Sequence, residues 1–203
     1  MQITPSLLPG FTDTVLDSQR TFRVVVNAMA HPGRVLALPV LPQTPQPLYP
    51  STAAVCLTLL DLDTPVWTDT VLSTPAVHEY LKFHCCCPFT NEPAGAAFAL
   101  LGTDSAMLPL GLFAAGAPLK PEGSATLLIQ VSRLANCRGK RLCGPGIAEF
   151  IDLQVAGLTE SFWEALQENH QSFPQGVDVL LLSPDSVCGL PRTVLAAVRA
   201  AAV

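Results

Sequence analysis

Three observations predict an α/β fold in which helices layer on a mixed sheet. Amphipathic segments alternate with short strand-like pieces through the first half of the chain, giving an α-β-α-β-α order. The second half is rich in continuous apolar runs of strand length, as covered strands require. Proline and glycine breaks at Pro32-Gly33, Thr64-Pro65 and Thr74-Pro75 divide one element from the next.

The first helix is expected over Asp13 to Ala30. Val15, Leu16, Phe22, Val25, Val26 and Met29 recur near the helical period, Asp13 caps the start, and Pro32-Gly33 stops it. Arg34 to Leu38 reads as a short strand. The five prolines from Pro39 to Pro50 make a stiff loop with few amide donors, unfit to join a sheet. A second helix begins at Ser51 and ends before Pro65, which holds Thr64 extended and starts a strand at Val66 to Thr68. Thr74-Pro75 pairs a cap with a first-turn proline and opens a third helix toward Phe83.

Ala96 to Leu101 and Ser124 to Val131 read as buried strands, the second continuing into a hairpin over Ser132 to Cys143 with Arg138-Gly139-Lys140 as its polar tip. Thr159 to His170 is an amphipathic helix carrying Phe162, Trp163 and Leu166. Val177 to Leu182 is another buried strand, and Val187 to Leu190 and Thr193 to Leu195 are short extended pieces.

The 203 residues, 49% of them hydrophobic, suffice for one core, so residues 1–203 are expected as one domain with flexible ends at 1–10 and 196–203. Only 13% are charged, little for a fully solvated surface, which points to an oligomer. The net charge of -5 argues against nucleic-acid binding, where phosphates demand a basic surface. No apolar run reaches membrane-spanning length, and Met1 to Thr14 lacks a signal-peptide pattern, so a cytoplasmic chain is expected. Seven cysteines in a chain of this size read as reduced thiols.

Leu59 to Trp67 joins a helix to a strand through two acids. Asp61 and Asp63 would point about 200° apart on a helix, and only a turn or strand aims them together. They either solvate a loop or form, with Trp67, part of a ligand or partner patch. Gln19 and Arg23 lie one helical turn apart beside Phe22, as a partner-facing patch or an ordinary solvated face. Gly144-Pro145-Gly146, after a basic stretch, reads as a tight turn more readily than as an anion cradle, since Pro145 removes a donor. Arg192 is placed to anchor the chain end to Asp178 or an acid nearby. His31, His78 and His170 read as surface or capping residues. Three adjacent thiols at Cys85, Cys86 and Cys87 cannot converge on one metal from regular backbone. Lys82, Lys120 and Lys140, the only lysines, read as solvated rather than as imine-forming. No catalytic, cofactor-binding or metal residue is expected.

Gln19 to Arg23 (QRTFR), Met29 to Gly33 (MAHPG), Leu59 to Trp67 (LLDLDTPVW), Phe83-His84, Gly144 to Ile147 (GPGI), Phe173 to Asp178 (FPQGVD) and Pro191 to Thr193 occur in an order and spacing that resembles one family. The family is PhnH, a subunit of the bacterial carbon-phosphorus lyase machinery, and the resemblance spans roughly residues 11 to 194. It implies an αβα sandwich like that of pyridoxal-phosphate-dependent transferases, without the cofactor. It also implies a non-catalytic structural subunit of the core complex that makes α-D-ribose 1-methylphosphonate 5-triphosphate from phosphonate and ATP. The implied partners are the other carbon-phosphorus lyase subunits, with a homodimer in isolation. Two alternatives stand beside it: direct binding of nucleotide or phosphonate through Arg23, Asp61, Asp63 and the glycine turn, and a stand-alone pyridoxal-dependent transferase.

Overall fold

A computed structural model describes residues 7–39, 41, 43–102 and 109–197. Among them, four α-helices, α1 (Thr14–Ala30), α2 (Pro50–Leu59), α3 (Pro75–Cys85) and α4 (Glu160–Gln171), are interleaved with eleven strands. These are β1 (Leu36–Ala37), β2 (Val66–Thr68), β3 (Phe98–Leu101), β4 (Ala115–Ala117), β5 (Lys120–Ser124), β6 (Thr126–Gln130), β7 (Arg133–Cys143), β8 (Ile151–Ala156), β9 (Asp178–Ser183), β10 (Ser186–Leu190) and β11 (Leu195–Ala197).

The main sheet runs β1-β10-β9-β6-β3-β2. Strands β2, β3, β6 and β9 are parallel, and β10 turns back antiparallel on β9 through Pro184-Asp185 before receiving β1 on its far edge. The expected α/β fold with a mixed sheet is present. Alternation along the strands divides the interior into two cores. Leu100, Leu128, Leu180 and Leu182 face α1, α2 and α3, meeting Val25, Val55, Tyr80 and Leu81. Ala99, Leu127, Ile129, Val179 and Leu181 face the other way, toward Phe162, Trp163 and Leu166 of α4 and Leu142 and Leu153 of a second sheet, β11-β7-β8. With both faces covered, the parallel strands read as unbroken apolar runs.

Local sequence signals place the helices. Asp13 Oδ1 accepts from the N–H groups of Val15 and Leu16, and Thr74 Oγ1 accepts from Val77, satisfying donors that each helix start leaves open. Thr159 occupies the α4 cap position, but its hydroxyl meets Ser161 instead. Helix α2 is buried from Ser51 to Cys56 because it lies between the sheet and α1, so it shows no polar face at its start.

One expectation is corrected. Arg138-Gly139-Lys140 is not a hairpin tip: β7 continues straight through it and turns at Gly144 to Phe150 into β8. Residues 136–139 instead form a bulge, since Ala135 faces Gln154 while Lys140 already faces Leu153. The backbones approach so closely there that a Cβ on Gly139 would lie 2.2 Å from the Leu153 carbonyl oxygen. Lys120 begins β5 of a small β4-β5 hairpin whose tip carries the fully exposed Leu119. Leu8 and Pro9, in the segment expected as a flexible end, accept bonds from the His84 ring (3.0 Å) and the Tyr80 hydroxyl (3.3 Å). Ala196 and Ala197 belong to β11. Residues 1–6 and 198–203 of the expected ends lie outside the described residues.

Candidate functional site

Three of the sequence motifs meet at one corner of the fold. Helix α1 ends at His31, whose amide donates to Asn27, and Gly33 then adopts φ 79°. The Gly33 amide donates to Gly189 of β10 (3.1 Å), and Asn136, from the bulge, spans the same loop by donating to Gly33 O (2.7 Å) and accepting from Val35 N (2.8 Å). Gly146 of the β7-β8 turn, at φ 84°, abuts the helix end so tightly that a Cβ would sit 2.5 Å from Ala30 O. Gly144 leaves 2.7 Å between such a Cβ and Thr193 O. Backbone lies against backbone at each point, so the glycines are required for packing.

Arg192 organises a second cluster. Its Nε and Nη2 donate to Asp178 Oδ1 and Oδ2 at 3.2 and 2.6 Å, and its own amide donates to Oδ1 at 2.9 Å. Nη1 reaches Pro121 O (3.0 Å) and Pro174 O (3.2 Å), and Nη2 also meets the Ser124 hydroxyl. The planar fork of the guanidinium thus fastens β9, the β4-β5 hairpin and the Phe173 to Gly176 loop to the final stretch of chain. The expected Arg192-Asp178 pairing is present. A shallow cleft of about 340 Å³ lies above it, walled by Pro121, Phe173, Pro174 and Pro191.

Open parallel sheets hold ligands beyond the carboxyl ends of their strands. Here those ends are tied internally. Asp69, 3% exposed after β2, accepts from Leu72 N (2.8 Å) and from Gly102 N after β3 (2.6 Å). Gln130, at the end of β6, accepts from Tyr49 N (2.6 Å) and donates to Pro47 O (3.1 Å), holding the proline loop in place. Ser183, closing β9, bonds Asp185 and Ser186 and accepts the Ser51 hydroxyl at its carbonyl. Asp69 and Gln130 were missed in the sequence: one acid in Trp67-Thr68-Asp69-Thr70 carries no mark separating a buried cap from a solvated turn.

The remaining candidate residues stay apart. Asp61 and Asp63 are exposed in a turn in which Asp61 Oδ1 accepts from the Asp63 amide (3.0 Å). Trp67 packs edge-on against Phe113, with ring centroids 5.5 Å apart. Gln19 and Arg23 are exposed on α1. Among the described residues, no hydrogen bond or ion pair joins Arg23, Asp61 or Asp63 to the Gly144 to Gly146 turn.

The lysines stand on the surface or in an ion pair, and four of the seven thiols are buried. Lys82 is exposed, 5.6 Å from the Phe89 ring centroid; Lys120 is exposed on its hairpin; Lys140 pairs with Glu160 and lies 5.9 Å from the Trp163 ring. None stands at the carboxyl end of a parallel strand, so the lysines do not fit an imine-forming pyridoxal site. Arg141 is held by Asp152 (3.1 and 3.3 Å) and stacks on Phe150 at 3.8 Å. All seven cysteines are free thiols. Burial, then the neighbouring Cys87 and Cys86, pushes Cys85 up to about 12; burial raises Cys188 to about 12; burial with Cys85 and Cys87 nearby raises Cys56 well above the ordinary range. Such thiols are poor nucleophiles and poor ligands. Among the described residues no three His, Cys, Asp or Glu side chains converge to hold a metal.

The chain is similar to known proteins along most of its length. The family model described as bacterial phosphonate metabolism protein (PhnH) matches residues 9–197. The chain is 33% identical over 184 residues to the α-D-ribose 1-methylphosphonate 5-triphosphate synthase subunit PhnH of Rhizobium meliloti, covering 91% of this chain and 92% of that protein. It is 30% identical over 175 residues to the putative C-P lyase subunit protein HtxG of Stutzerimonas stutzeri, covering 86% and 83%. With matches running from the N-terminal segment through β11, the chain belongs to the PhnH family of bacterial phosphonate metabolism proteins.

Proposed function

We propose that this chain is a non-catalytic structural subunit of a carbon-phosphorus lyase core complex. It is needed there for making α-D-ribose 1-methylphosphonate 5-triphosphate from phosphonate and ATP. Its partners are the other subunits of that complex, its compartment the cytoplasm, and in isolation it pairs with itself. The observation that carries this reading is the end-to-end similarity to relatives named as subunits. The tied strand ends at Asp69, Gln130 and Ser183 support the absence of a reaction centre of its own. The same ends, with three lysines away from them, suit an αβα unit related to the pyridoxal-phosphate transferase fold that has given up its cofactor. The residues expected to bind nucleotide or phosphonate directly do not converge, which counts against that alternative.

Co-expression with the neighbouring phosphonate-utilisation subunits tests the proposal. The chain should co-elute with them on size exclusion, and omitting it should abolish ribosyl-phosphonate formation. A chain that never co-elutes, or that turns over a phosphonate alone, refutes it.

A further inference from the structure

Beyond the tied carboxyl ends of β6 and β9 a polar cleft opens. Past Gln130 the chain keeps beside β9, Val131 N donating to Leu182 O (2.8 Å), and so sets Ser132 and Arg133 across from the turn that joins β9 to β10. The cleft between them measures about 420 Å³, with Ser132 and Arg133 on one side and Ser183 to Ser186 on the other. This is the end of a parallel sheet at which ligands gather. Arg133 is exposed, and among the described residues its guanidinium joins no hydrogen bond or ion pair. Asp185 is held in place. Its Oδ1 accepts from the hydroxyls of Ser186 (2.8 Å) and of the buried Ser183 (3.2 Å), and its carbonyl oxygen accepts from Leu38 N (2.9 Å). Its Oδ2 has no partner among the described residues. The Ser132 hydroxyl is already spent as a donor on Ala156 O (3.1 Å). The unspent groups of the cleft are therefore the donors of one guanidinium and one carboxylate oxygen, and the two charges do not neutralise each other.

We propose that this cleft binds a small zwitterion, its oxyanion on the Arg133 guanidinium and its ammonium group on Asp185 Oδ2. A molecule with a single charge meets one partner of opposite sign and one of its own sign, whereas a zwitterion pairs both ends. The hydroxyls of Ser183 and Ser186 hold the carboxylate in one orientation, so little ordering of Asp185 is left for the ligand to impose. A guanidinium fork takes two oxygens of a carboxylate, a sulfonate or a phosphonate alike. The ligand class is therefore set by the paired charges on a short chain rather than by the oxyanion. The cleft shares no residue with the group weighed above for nucleotide or phosphonate, and binding there is independent of the subunit role.

Isothermal titration calorimetry of the full chain at low salt tests this with three zwitterions of equal span: aminoethylphosphonate, taurine and β-alanine. Ethylphosphonate, propionate and ethylamine serve as single-charge controls. At least one zwitterion should bind about tenfold tighter than its single-charge halves, and the order among the three identifies the oxyanion. Arg133→Gln and Asp185→Asn each remove one charge at nearly constant size and should each weaken that zwitterion about tenfold. Both positions are exposed, so circular dichroism should match wild type. Proton-nitrogen correlation spectra of wild type with the zwitterion should shift the amides of residues 132–134 and 183, 185 and 186, a readout that needs no variant. Absence of heat and of shifts with every zwitterion at about 10 mM overturns the proposal. So do shifts centred elsewhere, controls that bind as tightly as the zwitterions, or folded R133Q and D185N chains that bind like wild type.

Discussion

Replacing Arg192 by alanine removes a guanidinium that is only 12% exposed and leaves Asp178, itself 22% exposed, with the backbone amide of residue 192 as its remaining donor in the cluster. The carbonyls of Pro121 and Pro174 lose their donor as well. Breaking one side of a buried pair costs about 3–5 kcal/mol. Residual access of water to Asp178 places this site at the lower end, about 3 kcal/mol, which for a chain of this length lowers Tm by about 6–12 °C. Arg192→Lys keeps a charge but loses the fork, so it should recover less than half of the loss. Urea titrations of wild type, R192A, D178A and the double variant complete a cycle whose coupling is expected at about 2 kcal/mol. The double variant should be more stable than the sum of the single losses implies, because no unpaired charge is left behind. An R192A chain within about 0.5 kcal/mol of wild type, or additive single losses, would refute the view that this ion pair fastens the hairpin to β9.

Asp69→Ala leaves the amides of Leu72 and Gly102 without an acceptor in a buried setting and should cost about 3 kcal/mol in the same titration, whereas the exposed Asp63→Ala should cost under about 0.5. With a thiol-specific chromogenic reagent at pH 8, the exposed Cys86 and Cys137 should react fast, Cys143 more slowly, and Cys56, Cys85, Cys87 and Cys188 only after unfolding; rapid titration of more than three thiols in the native state contradicts the burial assignment. Burial, then the charge of Lys82, lowers the His78 pKa from its usual 6.5, so the unfolded chain binds the proton more readily. The stability this group contributes is therefore complete above pH 6.5 and lost as pH falls toward the depressed native value. His78→Gln should lose less of its urea midpoint between pH 7.5 and 5.5 than wild type, and an equal loss in both removes His78 from the account.

Periodicity and punctuation made most elements of the fold legible, since α1, α3 and α4 each bury one face and the central strands are covered on both. What stayed hidden depended on long-range geometry. Arg138-Gly139-Lys140 has the composition of a hairpin tip, and only the pairing with β8 reveals a bulge that frees Asn136 to bridge to Gly33 and Val35. The β4-β5 hairpin, with small and proline residues throughout, has no alternation to read. Of the candidate residues, Arg192 was legible because an arginine between Pro191 and Thr193 near the chain end could be anchored by Asp178 or an acid nearby. Asp61 and Asp63 looked like a site because two acids stand close in sequence, yet a turn capped by Asp61 itself accounts for their spacing. Asp69 and Gln130 gave no signal, since their partners are backbone groups 33 and 81 residues away.

The place of β10 between β1 and β9 has a consequence for biogenesis. Leu36 pairs with Val187, and the backbone of Ala28 lies against Gly189, so the first strand finds its partner, and the N-terminal helix part of its seat, only in segments translated about 150 residues later. A ribosome releases the N-terminal elements first, and during that interval the greasy inner side of α1 has nothing from β10 to rest on. The nascent chain must therefore be shielded until its last strands emerge, and a ribosome stall or stop codon before residue 186 would leave a product that cannot close its sheet.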